Sequence, residues 1–161
     1  MTRTELIAAL KEAGIPFEVY EHPAVFTVEE IEKINLPRPE TGAKNLFLRD
    51  DKKRNYYLLT ARDPVRVDLK GFQQSIGARK LSFASEDDLF AFLGLTRGSV
   101  TTFGALNDTG HRVSVYLDDW FRDREIALHP MENTASLYLQ ANDLVAFLET
   151  NGHPVEWVNL P

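Results

Sequence analysis

Two apolar runs, KNLFLRD (44–50) and NYYLLTA (55–61), flank the charged stretch Asp50-Asp51-Lys52-Lys53-Arg54. Seven-residue runs rich in Leu, Phe and Tyr, joined by a turn that cannot be buried, predict an antiparallel hairpin. Its strands are too apolar to be solvated on both faces, so flanking helices are expected to cover them. The rest of the chain is read around that requirement.

Helix starts are marked by short polar residues. Thr2 and Glu5 have capping-box spacing ahead of Leu6, Ile7 and Leu10, with Gly14 at the expected end. Thr27 and Glu30 repeat the pattern for a short helix to about Ile34. Asp68 is placed to cap a helix ending near Gly77, Ser85 to cap EDDLFAFL before Gly94, and Asn142 to cap DLVAFLET before Gly152. FEVYEH, RKLSFA, RVSVYLD, REIALHP, SLYLQ and PVEWV read as further strands. NLPRPETGA (35–43), with two prolines and a glycine, reads as the most mobile loop. Strands and helices alternate without a strict βαβ rhythm. The expectation is one α+β (mixed α/β) domain over residues 1–161, with a central mixed, largely antiparallel sheet flanked by helices.

Composition narrows the function. The 161 residues suit one domain with a substantial core. With no cysteine, disulfides and thiolate metal sites are excluded, and a reducing, cytoplasmic setting fits. The N-terminus has helical spacing and no signal-peptide core, and no segment is long enough to span a bilayer, so no membrane association is expected. A formal charge of −6 argues against non-specific nucleic-acid binding by the whole surface. It leaves room for a local patch. Lys44, Lys52, Lys53, Arg54, Arg62, Arg66, Lys70, Arg79 and Lys80 gather in the first half, while acids dominate 86–88 and 118–123.

Three segments combine small and polar residues where plain core is expected: GAKN (42–45), RGSVTTFG (97–104) and LHPMENTAS (128–136). None matches a phosphate-binding signature: GxxxxGK[ST] and GxGxxG are both absent. The four histidines (22, 111, 129 and 153) lack ligand spacing, so no metal is expected, and no GxSxG elbow is present. No cofactor is called for. Lys44 either snorkels to water or serves as a fixed cation for a phosphate or polarised carbonyl. Asn45 either meets the same ligand or ends a strand. Gly98 and Ser99 either form a plain turn or, with Val100, curl their N–H groups into an anion nest. His129, held extended before Pro130, is either structural or a ligand to substrate.

Taken together and in this order, GAKNLFLRDDKKRNYYLL (42–59), RGSVTTFGALND (97–108) and LHPMENTASL (128–137) resemble the YbaK-type aminoacyl-tRNA editing domains. Such domains also occur inserted in bacterial prolyl-tRNA synthetases. The resemblance covers essentially the whole chain. It leans to the free-standing branch that removes alanine from mischarged proline tRNA more than to the branch that removes cysteine.

The resemblance implies a hydrolase of mischarged aminoacyl-tRNA. Lys44, Gly98, Ser99 and His129 would be catalytic, with Asn45 and Val100 beside the substrate. Val25, Phe26, Ile31 and Leu128 are candidate pocket walls. Lys44, Lys52, Lys53, Arg54, Arg79 and Lys80 are expected to bind tRNA, and a prolyl-tRNA synthetase or elongation factor is the implied partner. The expected chemistry is attack by water, deprotonated by the substrate's own ribose hydroxyl, with 98–100 amides stabilising the oxyanion. In this scheme Lys44 meets the terminal phosphate or adds to that stabilisation. One departure stands out: where inserted domains carry GxxxP, Gly98 is here followed by Ser-Val-Thr-Thr. Deacylation of cysteine or serine esters, or a non-catalytic tRNA-binding or synthetase-binding module, are the competing implications.

Overall fold

The hairpin forms as its composition requires. In the computed structural model, which describes residues 1–160 apart from the side chain of Val28, β2 (Ala43–Asp50) and β3 (Tyr56–Arg62) pair antiparallel from Ala43↔Arg62 to Arg49↔Tyr56. Around it, the chain runs α1 (Arg3–Glu12), β1 (Glu18–Glu21), α2 (Val28–Ile34), then α3 (Leu69–Ser75), β4 (Leu81–Phe83) and α4 (Glu86–Leu93). Next come β5 (Val113–Asp118), β6 (Glu125–Leu128), β7 (Ala135–Gln140), α5 (Ala141–Thr150) and β8 (Val155–Val158).

The strands divide between two sheets rather than joining one central sheet. A five-stranded sheet has the order β4-β2-β3-β5-β8, antiparallel at β4-β2-β3 and parallel at β3-β5-β8. A three-stranded antiparallel sheet has the order β1-β7-β6. An isolated parallel bridge, Gly42↔Ala127, is the point where the two sheets touch. The mixed, largely antiparallel α+β class is observed.

Strand alternation distributes the core over both faces of the larger sheet. Phe47, Tyr56 and Leu58 pack on α4 through Leu89 and Leu93. Leu48 and Leu59 face the other way, onto Phe72 of α3. The largest cluster joins α1 and α5 to β5, β6 and β7 through Leu6, Leu10, Leu117, Ile126, Leu137, Leu144 and Leu148. Each of those side chains is fully buried, contributing about 1.5–3 kcal/mol before entropy is counted.

The caps at Thr2, Asp68 and Ser85 form as expected, with Thr2 and Glu5 making the reciprocal box. At α2 the Thr27 side chain accepts from the Glu30 N–H, but Glu30 reaches one residue further back, accepting from the Phe26 N–H at 3.2 Å. Asn142 does not cap α5. That helix begins two residues earlier than expected, at Ala141 after Gln140, with no side-chain cap. The Asn142 amide instead exchanges two hydrogen bonds with Asp123 in the preceding turn, at 3.0 and 2.7 Å.

The 35–43 loop is fastened down. Arg38, in the left-handed region at φ 50°, extends its guanidinium to Glu125 (2.5 Å) and Glu18 (3.3 Å) and lies 4.9 Å over the Tyr138 ring. The Tyr138 hydroxyl donates to the Pro37 carbonyl at 2.9 Å. A 3-10 turn at Pro39–Thr41 then delivers the chain to β2.

Candidate functional site

Where the two sheets meet, the strapped loop, α2 and the ends of β2, β6 and β7 enclose a cavity of about 710 Å³. Its polar lining comes from α2 and the loop (Glu32, Asn35, Arg38, Glu40 and Thr41) and from the strand ends. Asn45 projects from the start of β2, His129 follows β6, Ser136 and Tyr138 come from one face of β7, and Asp63 follows β3.

Asn45 is oriented by two threonines. Its Oδ1 accepts from Thr60 Oγ1 at 2.7 Å, while Thr102 Oγ1 lies 3.0 Å from that oxygen and 2.6 Å from Thr60 Oγ1 and donates its one proton between them. Since hydroxyl protons meet the oxygen, the amide nitrogen is the atom turned to the cavity, with both protons unused among the described residues. Thr60 is the cross-strand partner of Asn45, and Thr102 belongs to the RGSVTTFG segment.

His129 is fixed just as firmly. Its Nδ1 faces the Ala135 carbonyl at 3.1 Å, so that nitrogen carries the proton and Nε2 is left as an acceptor. Burial holds this imidazole below its ordinary 6.5. The Ala135 carbonyl opposes that shift, and the neighbouring His22 adds to it. The His22 ring lies 6.4 Å from that of His129. Its Nδ1–H donates to the Pro23 carbonyl at 2.9 Å, so its Nε2 accepts the Ser136 hydroxyl at 3.0 Å. The wall therefore offers an amide donor beside a neutral imidazole acceptor.

The three polar segments do converge. Asn45 and Thr102 join the first to the second, Asn45 and His129 share the cavity, and Asn133 approaches Gly98. Ile31 and Leu128 line the cavity as expected wall residues. Val25 and Phe26 do not. Val25 is buried, and its carbonyl accepts from Asn133 Nδ2 at 2.9 Å. The Phe26 side chain is 68% exposed, its ring lying over Gly98.

The backbone conformation accounts for the glycine, and the nearby ring adds to it. At φ +90°, a Cβ on residue 98 would stand 2.7 Å from Phe26 Cδ1. The amide curl expected over 98–100 is also changed, because the buried Ser99 donates its N–H to the Thr96 carbonyl at 3.0 Å. Val100 packs toward Leu58 and Leu89 rather than lining the cavity. What this segment supplies is Thr102, fully buried behind the wall, where it helps hold Asn45.

Lys44 lies on the other side of the sheet. Its cross-strand partner is Ala61, and it shares a face with Leu46 and Leu48, opposite Asn45 and Phe47. It is half-buried, with no carboxylate in ion-pair range among the described residues. Lys52, Lys53 and Arg54 are exposed at the far end of β2, beside Arg79 and Lys80 at the start of β4. Arg79 is paired with Asp51 at 2.6 Å. This basic group is thus continuous but remote from the cavity.

No group of three or more His, Asp or Glu side chains among the described residues is placed to hold a metal ion. No helix among them is long and apolar enough to cross a membrane. Sequence reasoning missed Ser136, Tyr138, Thr60 and Arg38. The first two were legible as a period-two pair in SLYLQ.

Residues 22–147 match the family described as the aminoacyl-tRNA editing domain. The chain is 42% identical over 156 residues to the "Prolyl-tRNA editing protein ProX" of Acetoanaerobium sticklandii, covering 96% of this chain and 95% of that protein. It is 35% identical over 156 residues to "Prolyl-tRNA synthetase associated domain-containing protein 1" of Mus musculus, covering 94% and 92%. Among solved structures, a candidate trans-editing enzyme for prolyl tRNA synthetase shares the fold with a TM-score of 0.71 at 20% identity, covering 99% of this chain and 97% of that one.

Proposed function

This chain belongs to the aminoacyl-tRNA editing domain family, and from that membership we propose that residues 1–161 form one editing domain, a cytoplasmic deacylase that hydrolyses the ester of alanine mischarged onto proline tRNA. The observation that carries the reading is the pairing, in one cavity, of a fixed amide donor with a neutral imidazole acceptor.

An aminoacyl ester is already activated, so its hydrolysis needs placement and charge stabilisation more than a strong nucleophile. Asn45 Nδ2 donates to the ester carbonyl, whose oxygen becomes anionic as water adds. His129 Nε2 accepts the proton of the terminal ribose hydroxyl as that hydroxyl's oxygen takes the attacking water's proton. Collapse of the tetrahedral intermediate breaks the bond to the ribose 3′ oxygen, which takes the proton back from His129, and the free amino acid departs. Lys44, across β2 from Asn45, meets the terminal nucleotide's phosphate. Lys52, Lys53, Arg54, Arg79 and Lys80 attract more distant parts of the tRNA.

The substrate follows from what a synthetase cannot do. A site shaped for proline rejects the smaller alanine by only about 1–3 kcal/mol per missing methylene. A second site that admits alanine and excludes proline completes the sieve, and Ile31 and Leu128 supply its apolar wall. The relatives' names, which refer to prolyl-tRNA editing and prolyl-tRNA synthetase, support proline tRNA as the carrier and that synthetase as a partner.

The test is a panel of tRNAs charged with alanine, cysteine, serine and proline, with ester hydrolysis followed directly. Alanine released fastest from proline tRNA is the expected result. Preference for cysteine or serine would move the enzyme to another branch, and no hydrolysis at all would leave a binding module.

A further inference from the structure

Beside the cavity, two arginines lacking a carboxylate partner close on a single indole. Arg62 ends β3, and Arg124 stands just before β6. Their Cζ atoms lie 5.4 and 4.4 Å from the Trp120 ring centre. Among the described residues neither makes an ion pair, and Arg62 Nε is buried without any hydrogen-bond partner. The acids on the intervening turn are already committed. Asp118 accepts the backbone N–H groups of Arg62 (3.3 Å) and Trp120 (3.0 Å), and Asp119 holds Arg122 at 2.7 Å. Glu125, next to Arg124, is taken by Arg38.

Guanidinium groups on an aromatic face are held in place while their edge N–H groups stay available for a bidentate acceptor. With Nε shut against the ring, Arg62 meets a ligand through its terminal nitrogens, which make no hydrogen bond among the described residues. Two such groups on one ring suit a phosphodiester, whose two free oxygens accept side by side. The location fits a strand entering the cavity. Arg62 precedes Asp63 and pairs across the hairpin with Ala43, and both Asp63 and Ala43 line the cavity. Glu125, which follows Arg124, holds the lining residue Arg38.

Resting on the editing function above, we propose that Arg62, Trp120 and Arg124 form a phosphate clamp for the single-stranded 3′ end of the tRNA, placing the strand whose terminal ester enters the cavity.

The test compares the wild type with the Arg62→Gln/Arg124→Gln and Arg62→Lys/Arg124→Lys variants, using binding of uncharged proline tRNA across a salt series. The glutamine pair weakens binding about tenfold or more and lowers the slope of log affinity against log salt by roughly 0.7 for each phosphate no longer neutralised. The lysine pair keeps the charge, and so keeps most of the slope. Hydrolysis of alanyl-adenosine, which has no phosphate, is unchanged in both. Unaltered affinity and slope in the glutamine pair overturn the clamp. So does an equal loss on alanyl-adenosine, which would make the arginines structural. A wild type that binds tRNA but hydrolyses neither substrate sinks the deacylase reading instead, while the binding series still decides the clamp.

Discussion

The two ends of β2 carry similar residues and do different things. At the turn end, Asp50 is 2% exposed and its carboxylate takes the Arg54 N–H at 2.9 Å and the Asn55 side-chain amide at 2.8 Å. Arg49 and the Tyr56 hydroxyl both meet Asp88, at 2.9 and 3.1 Å. Each of these polar groups is answered from within the chain. At the cavity end, Asn45 commits its oxygen to two threonines and keeps its amide protons, while Lys44 has no carboxylate partner among the described residues. Polarity is the same at both ends; what differs is whether the hydrogen bonds are already spent. Unspent donors on a rigid strand are what recognition requires, and fully paired ones mark a structural joint.

The largest effect that sharpens this contrast is expected at the open end. Asn45→Ala removes the oxyanion donor and should lower kcat about 100- to 1000-fold. The Thr60 and Thr102 hydroxyls still bond each other, so the fold survives. A deacylation rate near wild type would strip Asn45 of its role and leave both ends equally structural. His129 gives the next largest effect, through pH. Burial depresses this imidazole below its ordinary 6.5. The active neutral form therefore persists through neutral pH, and activity falls tenfold per unit only on an acid limb whose midpoint lies below 6.5. Stability moves in the same direction. Below 6.5 the unfolded chain binds the proton more readily, so the neutral imidazole's contribution is lost as pH falls toward the folded value. A midpoint above 6.5 in the rate profile would contradict the buried, neutral assignment.

How much of this contrast could be read from the chain depends on how local its cause is. The caps at Thr2, Asp68 and Ser85 are set within three residues, and they form where the pattern places them. Asn142 has the same local pattern but fails, because Asp123, nineteen residues away, captures its amide. The 35–43 loop looked mobile from its prolines and glycine. Its strap comes from Glu125 and Tyr138, 87 and 101 residues from their loop partners, which no local reading can see. The site was legible as three segments that had to meet, and they do. Its handedness was not taken from the pattern. Period two already puts Lys44 and Asn45 on opposite faces of β2, and only Asn45 lines the cavity. Val25 and Phe26 were misplaced for a similar reason: apolar residues ahead of a capping box serve equally as wall, core or cover for a glycine.

A smaller effect probes the cavity wall that the open end faces. Ile31→Ala removes apolar surface beside the proposed amino-acid subsite. Excluding proline by size is worth about 1–3 kcal/mol per methylene, so the alanine-over-proline ratio in kcat/KM should fall by roughly tenfold or more. Leu128→Ala should act in the same direction but at greater cost to the fold, since that side chain also belongs to the main core. Unchanged ratios in both variants would move the sieve elsewhere in the cavity.

The smallest effect on activity, and the cleanest attempt to break the comparison, lies at the closed end. In Asp50→Ala the Arg54 and Asn55 donors lose their acceptor, so the turn should loosen and the thermal midpoint drop by several degrees, while kcat for deacylation stays within twofold. Hydrogen bonds from the Arg54 backbone, then from the Asn55 side chain, hold this carboxylate below its ordinary 3.8. Its contribution is therefore complete at neutral pH and fades only as pH falls below the usual carboxylate range toward the folded value. The midpoint difference between wild type and Asp50→Ala should accordingly narrow in acid. If Asp50→Ala instead abolished deacylation with its fold intact, the turn end would be acting on the ester from the far end of an eight-residue strand, and whether hydrogen bonds are already spent would no longer separate the two ends of β2.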